Sequence, residues 1–224
     1  MSKRSIILRS ILRLSQFILS SILFLFVPAG SLGFIKGWLA IIALALPAIV
    51  LGIFLINKNP RLLLERLEAR ENSLTQRRIV FLSSCIVAIS AIASGLAYRY
   101  SFTPLPSLFC YVAVLIYFFA LLIYAQAFSV NPYLARTIKT VSDQRLVDYG
   151  IYSKIRHPLY LGSMLLYLSI ALIFSYPVTL LLLLPMMPLL KHRIKNEERF
   201  LERNLNGYIE YEKKVQYRLI PHLW

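Results

Sequence analysis

Five long stretches without a single charged side chain, at 14–35, 37–57, 79–98, 100–135 and 157–190, constrain this chain more than any other feature. A bilayer core about 30 Å thick needs roughly 20 apolar residues as helix, and the first three stretches each supply one span. Strands of a barrel would show short alternating segments instead. The fourth stretch opens with Ser101, Thr103, Pro104, Pro106 and Ser107, which read as a loop, and a span from about Leu108 to Ser129 follows. The fifth is too long for one span and short for two full ones. Ser175-Tyr176-Pro177 near its middle is a turn signal, so two short helices forming a hairpin are expected. The fold class is therefore all-α: a polytopic membrane bundle of about six membrane segments, including a C-terminal helical hairpin, followed by a cytoplasmic helix. Composition agrees, with 58% hydrophobic and only 16% charged residues, against about a quarter charged in soluble domains.

The formal net charge is +15, which in a soluble protein points to nucleic acid. Its distribution here points elsewhere. Segments 1–13, 57–78, 129–156 and 191–224 hold all Lys and Arg except Lys36 and Arg99, and all ten Asp and Glu. This is a positive-inside asymmetry that places both termini in the cytoplasm and predicts a multi-pass integral membrane protein, in a bacterial cell one of the inner membrane. Anionic headgroups account for the basic excess, and no nucleic-acid partner is expected. Lys3, Arg4, Arg9 and Arg13 before an apolar run resemble a signal peptide, but the run is long and lacks a clear cleavage site, so it reads as an anchor helix. Cys85 and Cys110 fall inside predicted spans, and His157, His192 and His222 show no clustered ligand spacing, so no metal is expected.

Two regions differ in texture. Residues 1–128 read as N-terminal transmembrane helices of little polar content, apart from the segment 57–78. There Leu62, Leu63, Leu64 and Leu67 lie among Arg61, Glu65, Arg66, Glu68 and Arg70, as in an interfacial amphipathic helix or a solvated connector. Residues 129–224 hold seven of the ten acidic residues, all three His and many boundary Tyr. They read as a cytoplasmic loop, the hairpin, and a charged helix 192–215 broken near Asn204 to Gly207.

Chemistry is expected in the second region. In the run from Gly150 to Gly162, Pro158 suits a first helical turn, with His157 before it. The free N–H groups of that turn suit an anion such as a carboxylate. Tyr160 offers a ring face and a hydroxyl, and Gly162 allows close approach to the backbone. The same residues also fit an ordinary membrane helix start with a snorkelling Arg156 and an interfacial Tyr160. Downstream, Arg193 and Glu197 are four apart and share a helix face, while Glu198 points about 100° away; a solvated helix with an i,i+4 pair would show the same. The hairpin returns Arg193 and Glu197 to the helix start at His157, converging a cation, a carboxylate, an imidazole and a phenol at one membrane boundary.

The ordered pieces Gly-x-Tyr-x-x-x-Arg-His-Pro-x-Tyr-x-Gly, a hairpin, Arg-x-x-x-Glu-Glu, Gly207-Tyr208-x-x-Tyr211 and Pro221 resemble the isoprenylcysteine carboxyl methyltransferase and phospholipid methyltransferase superfamily over about residues 131–224. The resemblance implies an S-adenosylmethionine-dependent enzyme acting on a lipophilic or lipidated acceptor among membrane lipids. By position it implies cofactor contacts at His157, Pro158, Leu159, Tyr160 and Tyr152, at Gln144, Arg145, Leu146 and Val147, and at Glu197, with substrate contact at Arg193. Carboxyl methyltransferases often carry a His where this chain has Gln144, which bears on the substrate. The chemistry agrees: displacement at a sulfonium needs positioning and exclusion of water. Arg193, with Arg156 as second candidate, would orient an acidic group; an amine acceptor would need a base, and Glu198 is available. No Gly-rich strand-turn-helix fingerprint appears. Carboxyl O-methylation stands beside amine N-methylation of a phospholipid, a non-catalytic binding protein, and a reductase using a nicotinamide cofactor.

Overall fold

The computed structural model describes residues 3–69, 71, 73–134, 137 and 144–224; Arg70 lies outside them. Among the described residues all regular structure is helical: α1 (Lys3–Ala29), α2 (Ile35–Lys58), α3 (Pro60–Leu67), α4 (Leu74–Arg99), α5 (Leu108–Val130), a 3-10 turn at Gly150–Ser153, α6 (Pro158–Phe174), α7 (Pro177–Leu183), α8 (Met186–Asn204) and α9 (Tyr208–Lys214). Helices α1, α2, α4 and α5 and the run Pro177–Asn204 are long and apolar enough to cross a membrane, and the shorter apolar α6 makes a sixth segment. Side chains such as Leu19, Phe81 and Leu115 are about two-thirds exposed, as expected where the surroundings are lipid. The protein is a multi-pass helical membrane bundle.

The ends of the helices sort the charges. At one end the α1–α2 turn at Gly30 packs on the Arg99 side chain, and Lys36 lies over the Tyr176 ring. Ser175, in the left-handed conformation at φ +61°, caps α6 and turns the chain into Pro177. Its carbonyl accepts from the Leu105 amide at 2.6 Å. The hairpin turn therefore sits with Lys36 and Arg99. At the other end Arg9 pairs with Glu68, and both described termini lie there with α3, α9 and the loop before α6.

The segment read as an interfacial amphipathic helix or a connector forms the short amphipathic helix α3. Asn59 caps it by accepting from the Leu62 amide at 3.1 Å, with Pro60 in the first turn, a strong start signal. Its Leu62 and Leu63 are buried with Ile6 of α1 and Leu55 of α2, and Leu64 and Leu67 pack on the same cluster. Its apolar face thus packs on the neighbouring ends of α1 and α2, with Leu62 and Leu63 covered by protein. The membrane helices approach closely where side chains are small. A Cβ on Gly95 of α4 would collide with the Leu25 carbonyl of α1, so the α1–α4 contact depends on that glycine.

Candidate functional site

The segment from Gly150 to Pro158 is held by distant chain. The Arg156 amide donates to the Tyr217 carbonyl at 3.0 Å and the His157 amide to the Arg218 carbonyl at 2.9 Å. The Tyr211 hydroxyl donates to the Tyr152 carbonyl at 2.7 Å. Gly207, at φ +82°, reverses the chain between α8 and α9, which a residue with a Cβ adopts only under strain. That reversal lays α9 and the following segment across the start of α6.

Inside this fold Arg156, His157 and Glu198 are all nearly fully buried. Arg156 donates to Glu198 Oε1 from Nε at 3.0 Å and Nη2 at 2.7 Å, and His157 Nε2 lies 3.2 Å from the same oxygen. Arg218 Nε donates to Glu198 Oε2 at 2.8 Å. Arg156 also donates to the Val215 carbonyl at 2.8 Å and pairs with Glu212 at 2.8 Å. Burial raises the Glu212 carboxyl above its ordinary value, against the nearby Arg156 charge. Buried charges persist where they are paired and hydrogen-bonded, and both Glu198 oxygens have guanidinium donors.

A second connected set lies beside it. Arg193 Nε donates to the Tyr160 hydroxyl at 2.9 Å, and that hydroxyl donates to Glu197 Oε2 in a short contact. Cation and carboxylate are thus joined through a phenol. On its other side Arg193 Nη2 donates to Glu71 Oε1 at 2.7 Å and Nη1 to Gln76 Oε1 at 3.2 Å.

Between these sets opens a cavity of about 260 Å³, just below the ~300–1,000 Å³ usual for ligand pockets. Twelve of the sequence candidates line it: Gln144, Arg145, Leu146, Val147, Tyr152, Arg156, His157, Pro158, Leu159, Tyr160, Arg193 and Glu197. Tyr124 of α5 and Ser163 of α6 also line it, bringing it down to spanning helices. Their hydroxyls meet at 2.7 Å. Burial pushes the phenols of Tyr152, Tyr208 and Tyr211 above their ordinary value, so they serve as walls and hydroxyl donors. Among the described residues the buried Tyr208 hydroxyl has no hydrogen-bond partner. An unsatisfied buried hydroxyl carries a desolvation cost.

Two candidates stand apart from the cavity. Gly162 faces α5: a Cβ there would lie 3.2 Å from the Tyr124 ring, so its small size serves helix packing rather than approach by a cofactor. Glu198 is absent from the lining, and its four donors stabilise the anion, leaving it a weak base. Sequence reasoning missed Arg218, Glu212, Glu71, Gln76, Arg66 and Tyr124. Tyr208 and Tyr211 entered only as part of a motif, although their i,i+3 spacing places both on one helix face. No local pattern marks the others.

Comparison with known proteins meets this geometry. The chain is 35% identical over 95 residues to the Delta(14)-sterol reductase TM7SF2 of Mus musculus, covering 39% of this chain. The chain spans only 22% of that relative's length. A family model matches residues 111–203, from α5 to the end of α8. Over that segment, which carries the His157-Pro158-Leu159-Tyr160 start and the Arg193 to Glu198 face, the chain is similar to the isoprenylcysteine carboxyl methyltransferase (ICMT) family.

Proposed function

We propose that this protein is an integral-membrane, S-adenosylmethionine-dependent methyltransferase that acts on a lipophilic acceptor at the cytoplasmic face, with carboxyl O-methylation its preferred reaction. The region 129–224 then carries the chemistry, and residues 1–128 embed it. The observation that carries this reading is that one cavity is lined by the Glu197 carboxylate, held by the Tyr160 hydroxyl, and by the aromatic side chains of Tyr152, Tyr208 and Tyr211. A carboxylate suits the hydroxyl and amino donors of a nucleoside cofactor. Aromatic walls at Tyr152, Tyr208 and Tyr211 suit its base. Arg145 and Arg66, also on the lining, suit its carboxylate. The residues present fit the cofactor.

When bound, the cofactor supplies a methyl group on a sulfonium whose departure leaves a neutral thioether. The chain's own residues position and dehydrate. Arg193 orients an anionic acceptor, and the buried Arg156–Glu198–Arg218 cluster keeps the cavity floor rigid. Enclosure by α9 excludes water, which strengthens the electrostatic contacts inside. A carboxylate acceptor is already a nucleophile and needs no proton removed. Glu198, engaged by Arg156, His157 and Arg218, is poorly suited to take a proton from an amine. This favours O- over N-methylation.

A reductase reading draws on the similarity to the sterol reductase. Calorimetric titration of the protein in lipid nanodiscs separates the two. Micromolar binding of S-adenosylmethionine supports the methyltransferase; binding of a reduced nicotinamide dinucleotide alone overturns it. Membranes incubated with methyl-labelled cofactor then distinguish acceptors, since methyl esters release label in base and methylamines retain it.

A further inference from the structure

Glu71 lies outside the segment that matches the methyltransferase family, yet it reaches the site. It stands just before α4, 122 residues from Arg193 in the chain, and accepts from Arg193 Nη2 at 2.7 Å. The Glu71 and Arg193 side chains are 9% and 13% exposed, so the pair is shielded from screening by water. Gln76, in the first turn of α4 and 3% exposed, accepts from Nη1 at 3.2 Å. The guanidinium plane is thereby fixed from behind, and its Nε is aimed at the Tyr160 hydroxyl at 2.9 Å. That hydroxyl has one proton, and it goes to Glu197. Neither Glu71 nor Gln76 lines the cavity, whereas Arg193, Tyr160 and Glu197 all do.

We infer that Glu71 is a positioning residue: through Arg193 and the Tyr160 hydroxyl it sets the orientation of the Glu197 carboxylate in the cofactor cavity. The N-terminal helices thus contribute to cofactor affinity as well as to membrane insertion. The chemistry is that of a charge-assisted chain. A carboxylate fixes a planar cation more firmly than a neutral group does. With its plane fixed, Arg193 presents one donor to the phenol oxygen and leaves the phenol proton a single direction. Without Glu71 the guanidinium loses its charged partner, its hold on the phenol oxygen loosens, and the Glu197 carboxylate is less firmly oriented. The inference rests on the proposed cofactor reading and concerns binding alone, so activity is not needed to test it.

The test is a double-mutant cycle read by calorimetric titration of S-adenosylmethionine in nanodiscs, with thermal unfolding confirming that each variant is folded. Glu71→Ala is expected to weaken binding by about tenfold, in line with loss of one hydrogen bond to a charged group. Glu71→Gln, which keeps the shape and an accepting oxygen, is expected to show a smaller loss. In a Tyr160→Phe background neither substitution should weaken binding further, because the hydroxyl that carries the coupling is gone. Such coupling is the signature of residues acting through one another. Glu68→Ala, which removes the exposed pair with Arg9, should leave affinity unchanged. Losses that simply add in the double variant, or an unchanged affinity in Glu71→Ala, overturn the relay while leaving the cofactor reading intact. A folded parent that binds no S-adenosylmethionine overturns the cofactor reading and the relay with it.

Discussion

Arg156 and Glu198, 42 residues apart, meet through two hydrogen bonds to one carboxylate oxygen at 3.0 and 2.7 Å, with both side chains under 5% exposed. Removing one partner of a buried pair leaves an uncompensated charge, at a cost of about 3–5 kcal/mol. Glu198→Ala is therefore expected to lower the unfolding temperature by several degrees in detergent or nanodiscs, through Arg156, His157 and Arg218 together. Glu198→Gln should be milder. An unchanged melting curve for Glu198→Ala would show that the cluster is not held as described.

Glu197 lies next in sequence and behaves differently. Its carboxylate lines the cavity and accepts a hydrogen bond from the Tyr160 hydroxyl, so Glu197→Ala should retain the fold while weakening S-adenosylmethionine binding about 10–100-fold, as expected for losing a charged hydrogen bond. The pair of variants makes a contrast: position 198 registers in thermal unfolding, position 197 in calorimetric affinity. Equal effects of both substitutions on both readouts would sink the division of labour.

Two glycines provide a paired test of membrane packing. Gly95→Ala places a methyl against the Leu25 backbone carbonyl and is expected to cost about 1–3 kcal/mol through overpacking. Gly52 of α2 has open space around it, and there alanine should stabilise by about 0.5–1 kcal/mol through helix propensity. Thermal unfolding of the two variants should shift in opposite directions; a common sign would refute the packing account.

Topology can be read by labelling. Thr103, beyond α4, and Leu223 are both exposed, at opposite ends of the bundle. With Cys85 and Cys110 replaced by alanine, Thr103→Cys and Leu223→Cys should react with an impermeant maleimide from opposite sides of the membrane, Leu223→Cys from the cytoplasm. Labelling of both from one side would break the six-segment topology.

The spans were legible in the sequence because charge-free length is a sufficient signal for a membrane helix. The turn at Ser175-Tyr176-Pro177 and the break before Tyr208 were legible too, since proline and glycine act locally. The start of α6 at Pro158 followed for the same reason. The long-range partners were not legible. Glu71 and Gln76 reach Arg193 across 122 and 117 residues, and periodicity relates only neighbours along one helix. Gly162 shows the opposite failure. A glycine beside a functional motif suggests ligand approach, but which helix it faces depends on how α5 and α6 pack. Glu198 illustrates a further limit: helix geometry turns it away from Glu197, but does not tell which partners from distant chain bury it.

The backbone pairing of Arg156 and His157 with Tyr217 and Arg218 has a consequence for biosynthesis. Every spanning helix precedes this stretch in the chain, and the cavity floor closes only once residues 215–218 are in place. A nascent chain halted after α8 would hold a threaded bundle with Arg156 and Glu198 open to water and no completed pocket. Completion of the binding cavity is thus a step separable from threading of the helices, since it waits on chain that follows every spanning helix.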